Sequence, residues 1–187
     1  MLFRSVLTAL NAARVAQTLA LFAELKAGSI LLNRFNIGGR GIACRDELMP
    51  DRETLKAAFA KANDFVASGG IPVHSGVCTP VCVLDPLDYP ALSFGRCGAS
   101  LRATPLTLDT DGNLRVCNHS PVTIGNIFKQ TIEEMEASPY LREWGTTRPA
   151  FCTDCADFPR CFAGCRAAAE QLGQGLDADP VLFTKRR

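Results

Sequence analysis

Nine cysteines are spread over the 187 residues, and six of them fall into two groups with metal-binding spacing. The first group is Cys97-x14-Gly112-x4-Cys117, and the second is the run Cys152-x2-Cys155-x5-Cys161-x3-Cys165. In a C-x2-C pair both thiolates turn back onto one metal centre without straining the backbone. A C-x3-C pair need not serve one centre, since the last cysteine of such a run ligates the other cluster in two-cluster ferredoxins. Gly112 can supply the left-handed turn that brings Cys117 back toward Cys97. Four thiolates also bind zinc tetrahedrally, so the spacing by itself leaves zinc and iron–sulfur open. Disulfides rank well behind both, because the chain is long enough to bury a core and shows no export signal.

The elements that must position these cysteines change character near Cys82. Residues 2–8 form an apolar, β-branched run expected to be a buried strand. Asn11 is placed to cap a helix with Val15, Leu19, Phe22 and Leu25 near the 3.6 period, ended by Gly28. Residues 29–35 read as a second strand, followed by the turn Asn36-Ile37-Gly38-Gly39-Arg40-Gly41. Pro50-Asp51-Arg52-Glu53 opens a second helix with Leu55, Phe59, Ala62, Phe65 and Val66 on one face. Gly69-Gly70 stops it, and residues 71–77 read as a third strand. Strands alternating with helices imply parallel pairing through right-handed crossovers. Three strands and two helices cannot close a barrel, and the open strand edge calls for cover or for more chain.

Residues 85–90 read as a linker. Residues 106–108 and 113–117 flank Asp109-Thr110-Asp111-Gly112, a hairpin signal. Residues 127–144 are expected to be helical with a break or bend at Pro139, and a short helix should run from Cys165 to Leu172, ended by Gly173. The division expected is 1–84 and 85–187.

A net charge of +1, with 47% hydrophobic and 21% charged residues, belongs to an ordinary globular protein and gives no electrostatic reason for nucleic acid or a membrane surface. Only Lys185-Arg186-Arg187 forms a basic cluster, read as a solvated tail. No apolar run is long enough to span a bilayer. Asn11 and Arg14 interrupt the apolar start, which is read as part of the fold, and the protein as cytoplasmic.

The six spacings together resemble the SPASM domain of radical S-adenosylmethionine enzymes, which carries two auxiliary 4Fe–4S clusters. Leu108-Asp109-Thr110-Asp111-Gly112-Asn113-Leu114-Arg115-Val116-Cys117-Asn118-His119-Ser120 and Ile124-Gly125-Asn126-Ile127 resemble it too. The first half looks like the last three strands of a partial (β/α)6 barrel. In it, Leu32-Asn33-Arg34-Phe35-Asn36-Ile37-Gly38-Gly39 is similar to the stretch lining the S-adenosylmethionine pocket. The resemblance implies an α/β fold: the C-terminal half of that barrel, then a small α+β cysteine-rich domain with a β-hairpin. It also implies Cys97, Cys117 and Cys165 on one cluster and Cys152, Cys155 and Cys161 on the other. Cys82 is the candidate fourth ligand of the first cluster. Asn33, Arg34, Gly38 and Gly39 are the candidate cofactor-binding residues.

Two departures qualify that expectation. The C-x3-C-x2-C motif that binds the radical-generating cluster does not occur in this sequence; Cys78-x3-Cys82 has the first spacing but no third cysteine. No catalytic residue is therefore assigned, and S-adenosylmethionine is expected only with the missing barrel half supplied, as by a second polypeptide. The seventh cysteine of the pattern is also absent, with Leu182 near its place. Asp179, Asp177, an external ligand or Cys44 are the candidates to complete the second cluster, and a labile cluster is the alternative. The expected function is an iron–sulfur module, with one or two 4Fe–4S clusters, of a radical enzyme modifying peptides or proteins. The alternatives are a zinc-stabilised binding module and a truncated gene fragment without activity of its own. Cys44 and Cys78 are otherwise read as small buried residues, His74 as a core or barrel-facing residue, and His119 as either a hydrogen-bond donor to sulfur or a capping residue. Trp144 and Phe151 are expected to pack beside the cysteine run.

Overall fold

The computed structural model describes residues 2–98 and 100–184; the basic cluster at 185–187 lies outside them. Strand β1 (Leu2–Leu7) pairs in parallel with β2 (Ser29–Arg34), from Leu2 opposite Ser29 to Leu7 opposite Arg34. Between them runs α1 (Val15–Glu24), preceded by a short 3-10 turn. Asn11 does not cap this helix: its Oδ1 accepts from Thr8 N–H and its Nδ2 donates to Val6 O, fixing the strand exit instead. Lys26, at φ 54°, ends α1 in place of Gly28, and Ala27 N–H closes back onto Phe22 O.

A four-residue helix α2 (Arg45–Leu48) and the longer α3 (Arg52–Ala67) lead to β3 (Val73–Ser75). Asp51 caps α3 by accepting from Thr54 N–H at 2.7 Å, and Gly69 follows it at φ 94°. A fourth parallel strand, β4 (Ser93–Phe94), pairs with β3, giving the order β1-β2-β3-β4. Its two residues are too few to register as a strand pattern, so three parallel strands were legible where the described residues form four. No α-helix makes the β3–β4 crossover; residues 76–92 do so as a loop with one 3-10 turn at Pro86–Asp88. That crossover carries Cys78 and Cys82.

The sheet is covered on one face. Ile30, Leu32 and Arg34 of β2 are buried while Ser29, Leu31 and Asn33 are only half-buried, as the pleat requires. Leu7, Val15, Leu19, Leu55 and Phe59 share the core beneath, together with Val83, Leu84 and Tyr89 of the crossover. Leu2, Val6 and His74 are exposed, and β1 has no strand on its outer side among the described residues.

The second half builds an antiparallel sheet of β5 (Thr107–Leu108), β6 (Asn113–Arg115) and β7 (Thr123–Asn126), ordered β5-β6-β7. Asp109 shapes the hairpin, its Oδ1 accepting from Asp111 and Asn113 N–H at 3.0 and 2.9 Å, and Gly112 turns it at φ 81°. The expected helix over 127–144 is two helices, α4 (Ile132–Glu136) and α5 (Pro139–Thr146), with Pro139 opening the second. Thr131 and Glu134 form a capping box on α4. Then come α6 (Phe158–Cys161) and α7 (Arg166–Gln171), with Gly173 at φ 73° after it. Leu101, Leu114, Val116, Ile124, Met135, Leu141 and Trp144 form a second core, edged by Cys97, Cys117 and Cys165.

Candidate functional site: two sets of thiols

All nine cysteines are free thiols, and eight of them fall into two spatial sets. Cys97 follows β4, Cys117 follows β6, and Cys165 stands at the head of α7. These three edge the second core. The Cys78 thiol, arriving on the β3–β4 crossover, lies beside that of Cys97. This interaction raises Cys78, with burial adding to it, and holds Cys97 below the usual thiol range. Burial pushes Cys117 up, and pushes Cys165 up to about 12 with Asp179 contributing.

The other set is built from stacked turns. Cys152 ends a 3-10 turn, Cys155 N–H donates to Cys152 O at 3.2 Å, and Cys161 ends α6 with its N–H on Asp157 O at 3.0 Å. Burial raises the Cys152 thiol, and Cys161, Cys155 and Cys82 add to the shift. Cys82, exposed, is raised by partial desolvation and then by Cys161, with Arg52 opposing. The structure thus puts Cys82 beside Cys152, Cys155 and Cys161, and Cys78 beside Cys97. Cys44, read as a small buried residue, is exposed and apart from both sets.

Separation of the sets rests on the loop between Cys161 and Cys165. Phe162, Ala163 and Gly164 have φ of 53°, 59° and 77° in succession. Left-handed backbone costs the two residues bearing a Cβ on the order of 1 kcal/mol each. A right-handed continuation would stack the two sulfurs on one helix face; the reversal turns them apart.

Three sulfurs receive N–H donors. Asn36 Nδ2 donates to Cys165 Sγ at 3.2 Å, Val81 N–H to Cys161 Sγ at 3.3 Å, and Ser120 N–H to Cys117 Sγ at 3.3 Å. The His119 ring does not serve a sulfur: its Nε2 meets Ile37 O at 2.5 Å, and it packs on Gly38, while the His119 backbone N–H faces the Cys117 thiol. Donors aimed at sulfur fit thiolates bound to a cluster, whose negative charge they share. Arg166 fits it too, since its guanidinium is buried with three carbonyl partners, Trp144 O, Thr147 O and Phe162 O. No carboxylate pairs with it among the described residues, and it lies within electrostatic reach of Cys97 and Cys152. A buried cation needs anionic company, which thiolate-ligated clusters provide. Among the described residues no three Cys, His or acidic side chains converge as a single ion would require.

The residues expected to bind a cofactor have structural partners here. Asn33 Oδ1 accepts from Gly76 N–H at 2.8 Å. Arg34, on the covered face of β2, pairs with buried Asp179 and donates to Cys78 O at 2.8 Å and Thr79 Oγ1 at 3.0 Å. Asp179 also accepts from Cys165 N–H at 2.8 Å, so its carboxylate stands with the first set rather than with Cys152, Cys155 and Cys161. Gly39 N–H donates to Gln171 Oε1 at 3.2 Å. His74 stands on the open sheet face, hydrogen-bonded to Ser93 Oγ. Trp144 is buried with Nε1 on Gly98 O at 3.0 Å, whereas Phe151 is exposed. Sequence reasoning missed Cys78 and Arg166. The Cys78-x3-Cys82 spacing was the visible signal for the first; nothing local marks the second.

Residues 97–156 match the SPASM family, an iron–sulfur cluster-binding domain. The PqqA peptide cyclase of Gluconobacter oxydans (strain 621H) is 27% identical over 179 residues, covering 91% of this chain and 48% of that protein. Native anSMEcpe with bound AdoMet matches with a TM-score of 0.61 at 15% identity, over 95% of this chain and 50% of its own. Its complex with AdoMet and Cp18Cys peptide matches at 0.60 and 16%, over 96% and 52%. The chain therefore spans about half the length of these relatives. No helix among the described residues is long and apolar enough to cross a membrane. Residues 97–156 thus match an iron–sulfur cluster-binding domain, while the chain as a whole is similar to a peptide cyclase and shares the fold of the anSMEcpe AdoMet complexes.

Proposed function

We propose that this chain is the auxiliary-cluster portion of a radical S-adenosylmethionine enzyme that modifies a peptide, and that it holds two 4Fe–4S clusters. The observation that carries this is the sorting of eight thiols into two sets separated by a left-handed loop. When bound, the clusters would supply one-electron transfer at potentials set by burial and hydrogen bonds to sulfur. The chain's own part is to hold and separate the thiolates, direct Asn36, Val81 and Ser120 donors at them, and place Arg166 near both sets.

The parallel sheet is read as part of the radical-generating barrel. Support comes from its single covered face, its free β1 edge, and coverage of half of relatives whose names include a peptide cyclase and AdoMet complexes. The strands that complete the barrel, in the same or another polypeptide, would bring the C-x3-C-x2-C motif and with it S-adenosylmethionine. Free thiols in this number suit a reducing compartment such as the cytoplasm.

The test is metal analysis of the anaerobically reconstituted chain. About eight irons with matching acid-labile sulfide per chain are expected for two four-iron clusters. Stoichiometric zinc without sulfide would sink the reading.

A further inference from the structure

The resemblance leaves the second cluster one thiolate short, because Leu182 stands near the place of the seventh cysteine. Leu182 is buried in the core of the parallel sheet, so no ligand comes from there. The other end of the molecule offers one. Residues 78–82 leave the C-terminal end of β3 and lie across the Cys161–Cys165 loop at several points. Val81 N–H donates to Cys161 Sγ at 3.3 Å. A Cβ added to Gly164 would meet Pro80 Cδ at 2.5 Å, so the proline ring is seated on that glycine. Cys78 and Cys161 line one cavity of about 180 Å³.

The same loop is clamped from below. Arg34 holds Cys78 O and Thr79 Oγ1, and its ion-pair partner Asp179 holds Cys165 N–H. Val83 and Leu84 N–H both return to Pro80 O, at 2.8 and 3.0 Å. This makes a tight turn in which Cys78 and Cys82 leave on different sides of Pro80. Arg34 and Asp179 tie Cys78 O to Cys165 N–H on the side of Cys97, while Val81 N–H on Cys161 Sγ at 3.3 Å sets the neighbouring Cys82 toward Cys161 and Cys155.

We infer that the β3–β4 crossover supplies one thiolate to each cluster: Cys78 completes the set of Cys97, Cys117 and Cys165, and Cys82 completes that of Cys152, Cys155 and Cys161. The inference rests on the two-cluster reading above. It replaces the missing seventh cysteine with a residue from the parallel-sheet half, so each cluster is ligated from both halves of the chain. Cys78 and Cys82 thereby become ligands that pin the sheet to the cysteine-rich domain.

Set membership is tested by spectroscopy of the reconstituted, reduced chain. Cys117→Ala and Cys152→Ala each alter one of two cluster EPR signals and so label them. Cys82→Ala is expected to change the signal that Cys152→Ala changes, with loss of up to half the iron, and to leave the other intact. Cys78→Ala should change the signal that Cys117→Ala changes, and Cys44→Ala neither. The double variant Cys82→Ala/Cys152→Ala should retain the same iron as Cys152→Ala alone, which separates ligand loss from misfolding. A Cys82→Ala protein with both signals as in the parent, or with the Cys117 signal altered, overturns the assignment while leaving the cluster reading in place. A parent that takes up zinc and no sulfide fails the cluster reading itself.

Discussion

Arg166 is the residue whose environment makes least sense without anionic neighbours. Its charge is buried and, among the described residues, meets no carboxylate, only carbonyl dipoles, the nearby thiols and the rings of Phe162 and Phe158, with centroids 5.0 and 5.9 Å away. A unit charge several ångströms from a cluster is worth roughly 1–2 kcal/mol at an effective ε near 20, several tens of mV for a one-electron couple. Removing it makes the added electron less welcome. Arg166→Met should therefore lower the midpoint potentials of both clusters by that order, while Arg166→Lys keeps much of it; redox titration followed by EPR reads this, and unchanged potentials would dismiss the role. Asp179 presents the complementary case. With Asn in its place, buried Arg34 loses its counter-charge, and breaking such a pair costs roughly 3–5 kcal/mol. The urea midpoint of the chain should fall accordingly with an unchanged slope.

Among the elements, the turn at Phe162-Ala163-Gly164 sets where the thiols go, and Gly164 is its least replaceable member. Its φ of 77° disfavours a side chain, and the space for a Cβ is taken by Pro80. Gly164→Ala must push the crossover away from the Cys161–Cys165 loop. It should lower stability by roughly 1–3 kcal/mol and reduce iron retention on gel filtration, whereas Gly173→Ala, with open space around its Cβ, should cost only the backbone strain. Much at this scale was legible in the sequence. Asp51 and Gly69 bound α3 as local chemistry predicts, and the Asp109–Gly112 hairpin needed only its own residues. Lys26 replaced Gly28 because Ala27 N–H closes onto Phe22 O and ends the helix two residues earlier. The pairing of Cys78 with Cys97 and of Cys82 with Cys161 was not legible. It depends on where Pro80 lands on Gly164, a contact 84 positions away that no local pattern encodes.

The whole molecule is tied together by segments that leave one half and return to the other. The expected division at 84/85 reads as two bodies, yet Ala178, Val181 and Leu182 sit in the sheet core with Leu7 and Phe59. The second core holds Trp144, the only tryptophan. If the halves unfold as one cooperative unit, damage at Leu182 must be felt at Trp144. Leu182→Ala should cost about 2–5 kcal/mol, as expected for a buried leucine truncation. Because the Arg34–Asp179 pair and the 78–82 loop couple the two cores, the urea midpoint read by Trp144 fluorescence should shift together with that read by far-UV circular dichroism. A Trp144 transition that stays at the parent midpoint while the dichroism transition moves would mean two independently folding halves. The crossover cysteines would then have to bind their clusters without help from a shared fold.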